Sequence, residues 1–160
     1  MRKIKGIVIH HSSTDEGNAK SFKHHHIVTL GWKTIGYNYV IPTSGIKEVG
    51  RSENLIPAHC RGNNRNTLGI CVVGKLMYKA PLPEQYIALI DLLAKRCFAY
   101  NLDPEGTYMW KGKIVYVIDG HKKFCNTDCP GDKFYEMLPQ IRIDVKRKLK
   151  EQLKVPKLSL

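Results

Sequence analysis

The segment His121-Lys-Lys-Phe-Cys-Asn-Thr-Asp-Cys129-Pro130-Gly131 offers an imidazole and a thiol that one loop can aim at the same metal ion, and His10, at the end of an apolar run, offers a second imidazole. Three protein ligands matter because a structural zinc is normally closed by four, whereas a catalytic zinc keeps one position for water or substrate. A His, His, Cys set therefore predicts chemistry. Taken singly, each of these residues is more often merely packed, since a lone histidine is usually satisfied at the surface or in the core and a lone cysteine is usually a small buried hydrophobe. Cys125 competes for the role of thiolate ligand because it lies closer in sequence to His121. The Cys-Pro-Gly context favours Cys129 and leaves Cys125 as packing or as a redox-sensitive neighbour.

Elements that would position these ligands can be read on either side of them. Gly6-Ile-Val-Ile9 is a β-branched run too short for a helix, so it reads as a buried strand that delivers His10 at its C-terminal end. Alternation puts His10 and His11 on opposite faces, so only one of them is expected in the cavity. Lys113-Ile-Val-Tyr-Val-Ile118 reads as a strand running straight into Gly120-His121, and neighbouring strands would set His10 beside His121. Asn18 to Leu30 reads as a helix stopped by Gly31, and His24-His25-His26 within it cannot converge on one ion because successive helical residues point about 100° apart. Tyr37 to Ile41 and Ile46 to Val49 form a predicted hairpin, Leu68 to Gly74 a buried strand, Pro83 to Tyr100 a helix with Cys97 in the core, and Pro139 to Leu153 a closing amphipathic helix. Asn101 to Gly112 reads as a loop or short hairpin. The alternation of strands and helices favours a mixed α/β sandwich within one domain spanning 1–160.

Composition narrows the function classes. The 160 residues carry a formal net charge of +12 and 42% apolar residues, and no apolar run approaches the roughly 18 residues of a membrane span. The first ten residues lack the core of a signal peptide, so synthesis in the cytoplasm without an export signal is expected. Five cysteines, an odd number, argue for reduced thiols over a disulfide framework. An anionic partner is expected from the charge: nucleic acid, a membrane surface or an anionic bacterial wall. Part of the excess lies in Lys146 to Lys150, Lys154 and Lys157, which reads equally as a solvated helix face.

Val8-Ile-His-His-Ser-Ser-Thr14, Gly36-Tyr-Asn-Tyr-Val-Ile41, Ala58-His-Cys-Arg-Gly62 with Asn66-Thr-Leu-Gly-Ile70, and His121 followed by Cys129-Pro-Gly131 together resemble the zinc-dependent N-acetylmuramoyl-L-alanine amidases of the type 2 class, which include phage lysozyme-type amidases and peptidoglycan recognition proteins. The blocks run in family order from about Lys5 to Leu138, with the basic helix from about 139 to 153 beyond them. The resemblance implies a central mixed β-sheet flanked by helices with Zn2+ at the floor of a surface groove, held by His10, His121 and Cys129. Tyr37 and Thr127 are implied as catalytic residues near the metal and the scissile carbonyl, and His59 and Asn66 as groove residues that touch substrate. Relatives usually carry Lys or Thr at the Thr127 position; where Lys stands there it supplies a positive charge to the transition state that Thr does not, a difference that bears on proton transfer and not on the ligand set. Glu48 and Glu53 are candidate general bases by proximity alone.

The implied activity is hydrolysis of the amide between N-acetylmuramic acid and L-alanine in peptidoglycan, as in a phage or prophage endolysin that reaches the wall after release. The implied partner is the anionic cell wall, with no nucleic acid, no membrane span and a monomeric chain expected. Cytoplasmic wall-recycling amidases usually carry Asp as third ligand, and non-catalytic recognition modules typically replace the cysteine, so Cys129 favours the lytic enzyme over both. A nucleic-acid role lacks any motif in which aromatic and basic residues interleave.

Overall fold

The computed structural model describes residues 2–154. Lys157, part of the basic C-terminal segment, lies outside them. Strand β1 (Gly6–His11) runs parallel to β4 (Thr67–Val72) on one side and to β7 (Ile118–Gly120) on the other. Beyond β4 come β2 (Tyr39–Ile41), parallel to it, and β3 (Glu48–Val49), antiparallel to β2, giving the order β3-β2-β4-β1-β7. The sheet is mixed, as expected.

The period-2 rule then sorts side chains between two faces. Ile7 and Ile9 of β1, with Leu68, Ile70 and Val72 of β4, face the main core, where they meet Leu89, Leu93 and Cys97 of α2 (Pro83–Tyr100) and Ile141 and Val145 of α4 (Leu138–Lys154). Val8 faces the other way, into a smaller cluster with Cys60, Val115 and Phe124. His10 shares the face of Val8, because it lies two residues further along β1. Helix α1 (Ala19–Val28), capped by the Asn18 side chain on the Ser21 amide, supplies Ala19 and Phe22 to a third cluster with Ile35, Val40 and Val73.

One strand expectation fails. Lys113 to Ile118 is not a single strand: β5 (Thr107–Trp110) and β6 (Lys113–Tyr116) pair as a separate antiparallel hairpin, and the chain enters the main sheet only at β7. Val117 is the junction, donating its amide to the Gly106 carbonyl while its own carbonyl accepts from Ile7. The apolar run is continuous because the hairpin covers Val8 through Val115 while β7 joins the core, two burials that sequence periodicity cannot separate. Asn101 to Gly112 thus contains half of a hairpin. A short helix α3 (Asp132–Glu136) also precedes α4.

Basic residues of α4 are not all solvated. Arg142 is buried, donating from Nε to the Ile118 carbonyl with its guanidinium over the Tyr116 ring. No helix among the described residues is long and apolar enough to cross a membrane.

Glu53 has a structural role. Its carboxylate accepts from the Tyr39 and Tyr100 hydroxyls at 2.7 and 2.8 Å and pairs with Arg96 at 3.1 Å. Burial alone pushes its pKa up, but the two hydroxyls and the guanidinium outweigh it, so the carboxyl ends below its usual range. A depressed carboxylate contributes stability that is present above the unfolded value of about 4.3 and is lost as pH falls through the folded one. Glu53→Gln is therefore expected to destabilise the protein at pH 7 and to narrow its gap from wild type as pH drops below about 4. Denaturant melts across that range would show it, and a gap that stays constant would refute it. Glu48 is occupied similarly, accepting the Ala19 amide at the start of α1 at 2.6 Å.

Candidate metal centre and its cavity

Because Ile9 pairs with Gly120, the next residues along the two parallel strands, His10 and His121, stand side by side with ring centroids 4.5 Å apart. The third ligand comes from the loop after β7. A hydrogen bond from the Lys122 amide to the Cys129 carbonyl, 2.8 Å, closes that loop back onto the helical turn at His121–Lys123. The Cys129 amide donates to Thr127 Oγ1 at 3.2 Å, while the thiol itself lies 3.9 Å from the His11 carbonyl.

His10, His121 and Cys129 offer ligand atoms that all lie within 4.8 Å of one another. The distance from His10 Nδ1 to Cys129 Sγ is 3.5 Å. Nitrogen and sulfur bound to a tetrahedral zinc at about 2.0 and 2.3 Å would stand about 3.5 Å apart, so the donor set fits the ion. Burial holds all three in metal-ready or neutral forms. It pushes the pKa of His10 far down, with the neighbouring histidines adding to it, lowers that of His121, and raises the Cys129 thiol to about 12 in the absence of a cation.

His59 stands behind His10. His10 Nε2 lies 3.0 Å from His59 Nδ1, His59 Nε2 lies 3.3 Å from Thr67 Oγ1, and that hydroxyl donates to the Asn63 carbonyl at 2.5 Å. Followed from the carbonyl backwards, the chain is satisfied when His59 carries its proton on Nε2 and His10 carries its own on Nε2, leaving His10 Nδ1 free to ligate. Burial drives the His59 pKa down to about 3, which keeps it the neutral acceptor this scheme needs. His59 lies 7% exposed on the cavity wall. Gly69 makes room for it: a Cβ there would sit 2.4 Å from the His59 ring. Removing such a supporting partner typically weakens metal binding about 10–100-fold. That loss is expected for His59→Ala and, with the imidazole retained, for Gly69→Ala, read by competition with a chromophoric chelator. Unchanged affinity in both would remove His59 from this role.

Above the ligands opens a cavity of about 460 Å³. Tyr37 and Thr127 line it; Asn66 does not, its amide donating instead to the Lys3 carbonyl. The Tyr37 ring lies 5.2 Å from that of His10, and its hydroxyl is raised well above its ordinary pKa, first by burial and then by the Cys71 and Cys129 thiols. His11 also reaches the cavity, contrary to the alternation argument: β1 ends at this residue, and the Leu76 amide donating to His11 Nδ1 at 3.1 Å holds the ring at the mouth.

Other wall residues escape sequence reasoning. Of the triplet, His24 and His25 are exposed, but His26 is buried, accepts the Gly36 amide on Nδ1 and packs 4.8 Å from Trp32. Asp128 is the one carboxylate lining the cavity among the described residues. The signals were thin: one helix face for His26, and for Asp128 only its place beside Cys129.

The pattern of a protein family described as N-acetylmuramoyl-L-alanine amidase matches residues 1–132. An N-acetylmuramoyl-L-alanine amidase of Sus scrofa is 30% identical over 133 residues, 81% of this chain and 21% of that protein. The endolysin of Escherichia phage T7 is 41% identical over 74 residues, 41% of this chain and 49% of the endolysin. Among solved structures, the N-acetylmuramoyl-L-alanine amidase LysC from Clostridium intestinale superposes with a TM-score of 0.73 at 25% identity, covering 97% of this chain and 88% of its own. The chain spans only about a fifth of the length of the mammalian amidases it matches.

Proposed function

We propose, for a chain that belongs to the N-acetylmuramoyl-L-alanine amidase family, that it hydrolyses the amide between N-acetylmuramic acid and L-alanine in peptidoglycan with Zn2+ held by His10, His121 and Cys129. The observation that carries this reading is a three-ligand set, spaced for a tetrahedral ion, at the floor of an open cavity with Tyr37 and Thr127 on its wall. Zinc held there supplies Lewis acidity, polarising the scissile carbonyl and bringing the ionisation of water from a pKa of about 15.7 toward neutrality.

The chain's own groups do the rest. Tyr37 keeps its proton throughout the neutral range, so its hydroxyl serves as a donor to the oxygen on which negative charge develops. Thr127 Oγ1 already accepts from the Cys129 amide, which leaves its O–H to donate on the same side. Asp128 provides the wall carboxylate to which a proton can be handed on its way to the leaving amine. The +12 charge draws the chain to the phosphates and carboxylates of an anionic wall, and the likeness to a phage endolysin supports action on the wall after release.

The test is release of L-alanine amino termini from purified peptidoglycan, with a chelator and after zinc restoration. Release that zinc controls is the expected result. Tight wall binding with zinc bound at the His10, His121 and Cys129 set and no release would make the chain a recognition module instead.

A further inference from the structure

A second cluster of metal-ligating side chains lies against the first. Cys60 Sγ and Cys125 Sγ are 3.9 Å apart, and His121 offers a ring nitrogen such that all three donor atoms fall within 4.8 Å of one another. Two thiolates bound at about 2.3 Å around a tetrahedral ion stand about 3.8 Å apart. A disulfide needs its sulfurs at about 2.0 Å, so the pair is two thiols in S–H···S contact, at a separation that also admits a cation between the sulfurs.

His121 has the capacity to serve it. A metal-ligating imidazole almost always ties its second nitrogen to a polar partner. His10 obeys this through His59, but among the described residues neither ring nitrogen of His121 is hydrogen-bonded. Cys60 is held in place by its amide donating to Asn64 Oδ1 at 2.9 Å, and Cys125 by its amide donating to the His121 carbonyl at 3.1 Å. Both anchors are backbone bonds, so among the described residues the two thiols engage only each other, through an S–H···S contact. Val8, Val115 and Phe124 surround the pair with apolar surface, while Cys125 remains half-buried and gives an ion a way in.

We propose that Cys60, Cys125 and His121 form a second site for a thiophilic divalent cation, zinc foremost, adjoining the His10 and Cys129 ligands and sharing His121 with them. Binding releases the two thiol protons to solvent and, when both ions are held together, the ring proton of His121 as well, since an imidazole that bridges two metals through its two nitrogens is an imidazolate. Occupied alone, the set of one divalent ion, two thiolates and a neutral imidazole has no net charge, which suits its apolar surroundings. Occupied alone, the set with two imidazoles and one thiolate keeps net charge near +1 and with it the stronger Lewis acidity; with both occupied, the two ions balance three thiolates and the bridging imidazolate. The second site is thus a holding place for metal beside the reactive one, and it stands whether or not peptidoglycan is the substrate.

Titration of the metal-free, reduced protein with Cd2+, following thiolate-to-metal charge-transfer absorbance and total bound cadmium, tests it. Wild type is expected to bind two thiolate-linked ions, Cys125→Ser one with the absorbance of a single thiolate, and Cys129→Ser one with the absorbance of two. Exposed His24 and His25 add no such absorbance. Bound Cd2+ is also expected to protect Cys125 of the wild-type chain from maleimide, read by mass spectrometry. A wild type that takes up one thiolate-linked ion, undiminished by Cys125→Ser, or a Cys125 alkylated equally fast with and without Cd2+, would overturn the second site. Loss of the Cys129-dependent ion alone would instead count against the first.

Discussion

Cys129→Ser is expected to lose the catalytic metal and to lower amide turnover at least about a thousandfold, the upper end of what deleting one charge-stabilising group costs a hydrolytic site. The sulfur is the one anionic ligand of its set, and serine offers only a neutral hydroxyl at the pH where the histidines still bind. Nothing nearby replaces it directly: Cys125 belongs to the facing pair with Cys60, 3.9 Å from it, and the Cys129 loop is closed by its own bond to Lys122. Metal content by elemental analysis and stem-peptide release would be measured together. Near-normal turnover in the serine variant would sink the ligand assignment. A complementary result is expected for the chelated wild type, with activity returning on zinc addition and the fold retained, since the core of β1, β4, α2 and α4 is built without the ligands.

Tyr37→Phe is expected to reduce kcat about 100–1,000-fold with metal content unchanged. Phenylalanine keeps the ring that packs against His10, Phe22 and His26, so only the hydroxyl is removed. Donation to an oxygen that becomes anionic in the transition state predicts that the loss appears in kcat and kcat/KM together, with KM little moved. A rise in KM alone would demote Tyr37 to a substrate contact. Turnover equal to wild type would remove it from the reaction.

The juxtaposition of His10 and His121 was legible because each follows a recognisable strand. Gly6 to Ile9 could only be a short buried strand, and a buried strand must deliver its next residue, His10, to the sheet's end. His121 follows β7 in the same way, so parallel pairing of the two strands sufficed to bring them together. Helix α2 was equally plain, from Pro83 at its first turn to Tyr100. What stayed hidden depended on contacts distant in sequence. The division of β6 from β7 at Val117 follows from which surface each half covers, and the run of apolar residues is the same either way. His59 was expected on the substrate, and its bond to His10, 49 residues away, is a tertiary fact with no local trace beyond the absence of a side chain at Gly69. Asn66 shows the converse, a groove position by family pattern whose side chain turns to Lys3. Cys60 and Cys125, separated by 65 residues, meet in the cluster that Val8, Val115 and Phe124 form, a contact with no local trace in the sequence.

The two outermost strands of the main sheet bear on how the chain behaves when crowded. An unpaired strand border is a template for another chain, and proteins protect it by keeping such strands very short. Here the borders are β3, two residues long, and β7, three residues long before the chain turns into the helical turn that carries His121. A foreign strand would find at most three residues of ladder on either side. The same brevity that brings His121 promptly to the side of His10 therefore guards the sheet against strand-by-strand polymerisation at high local concentration.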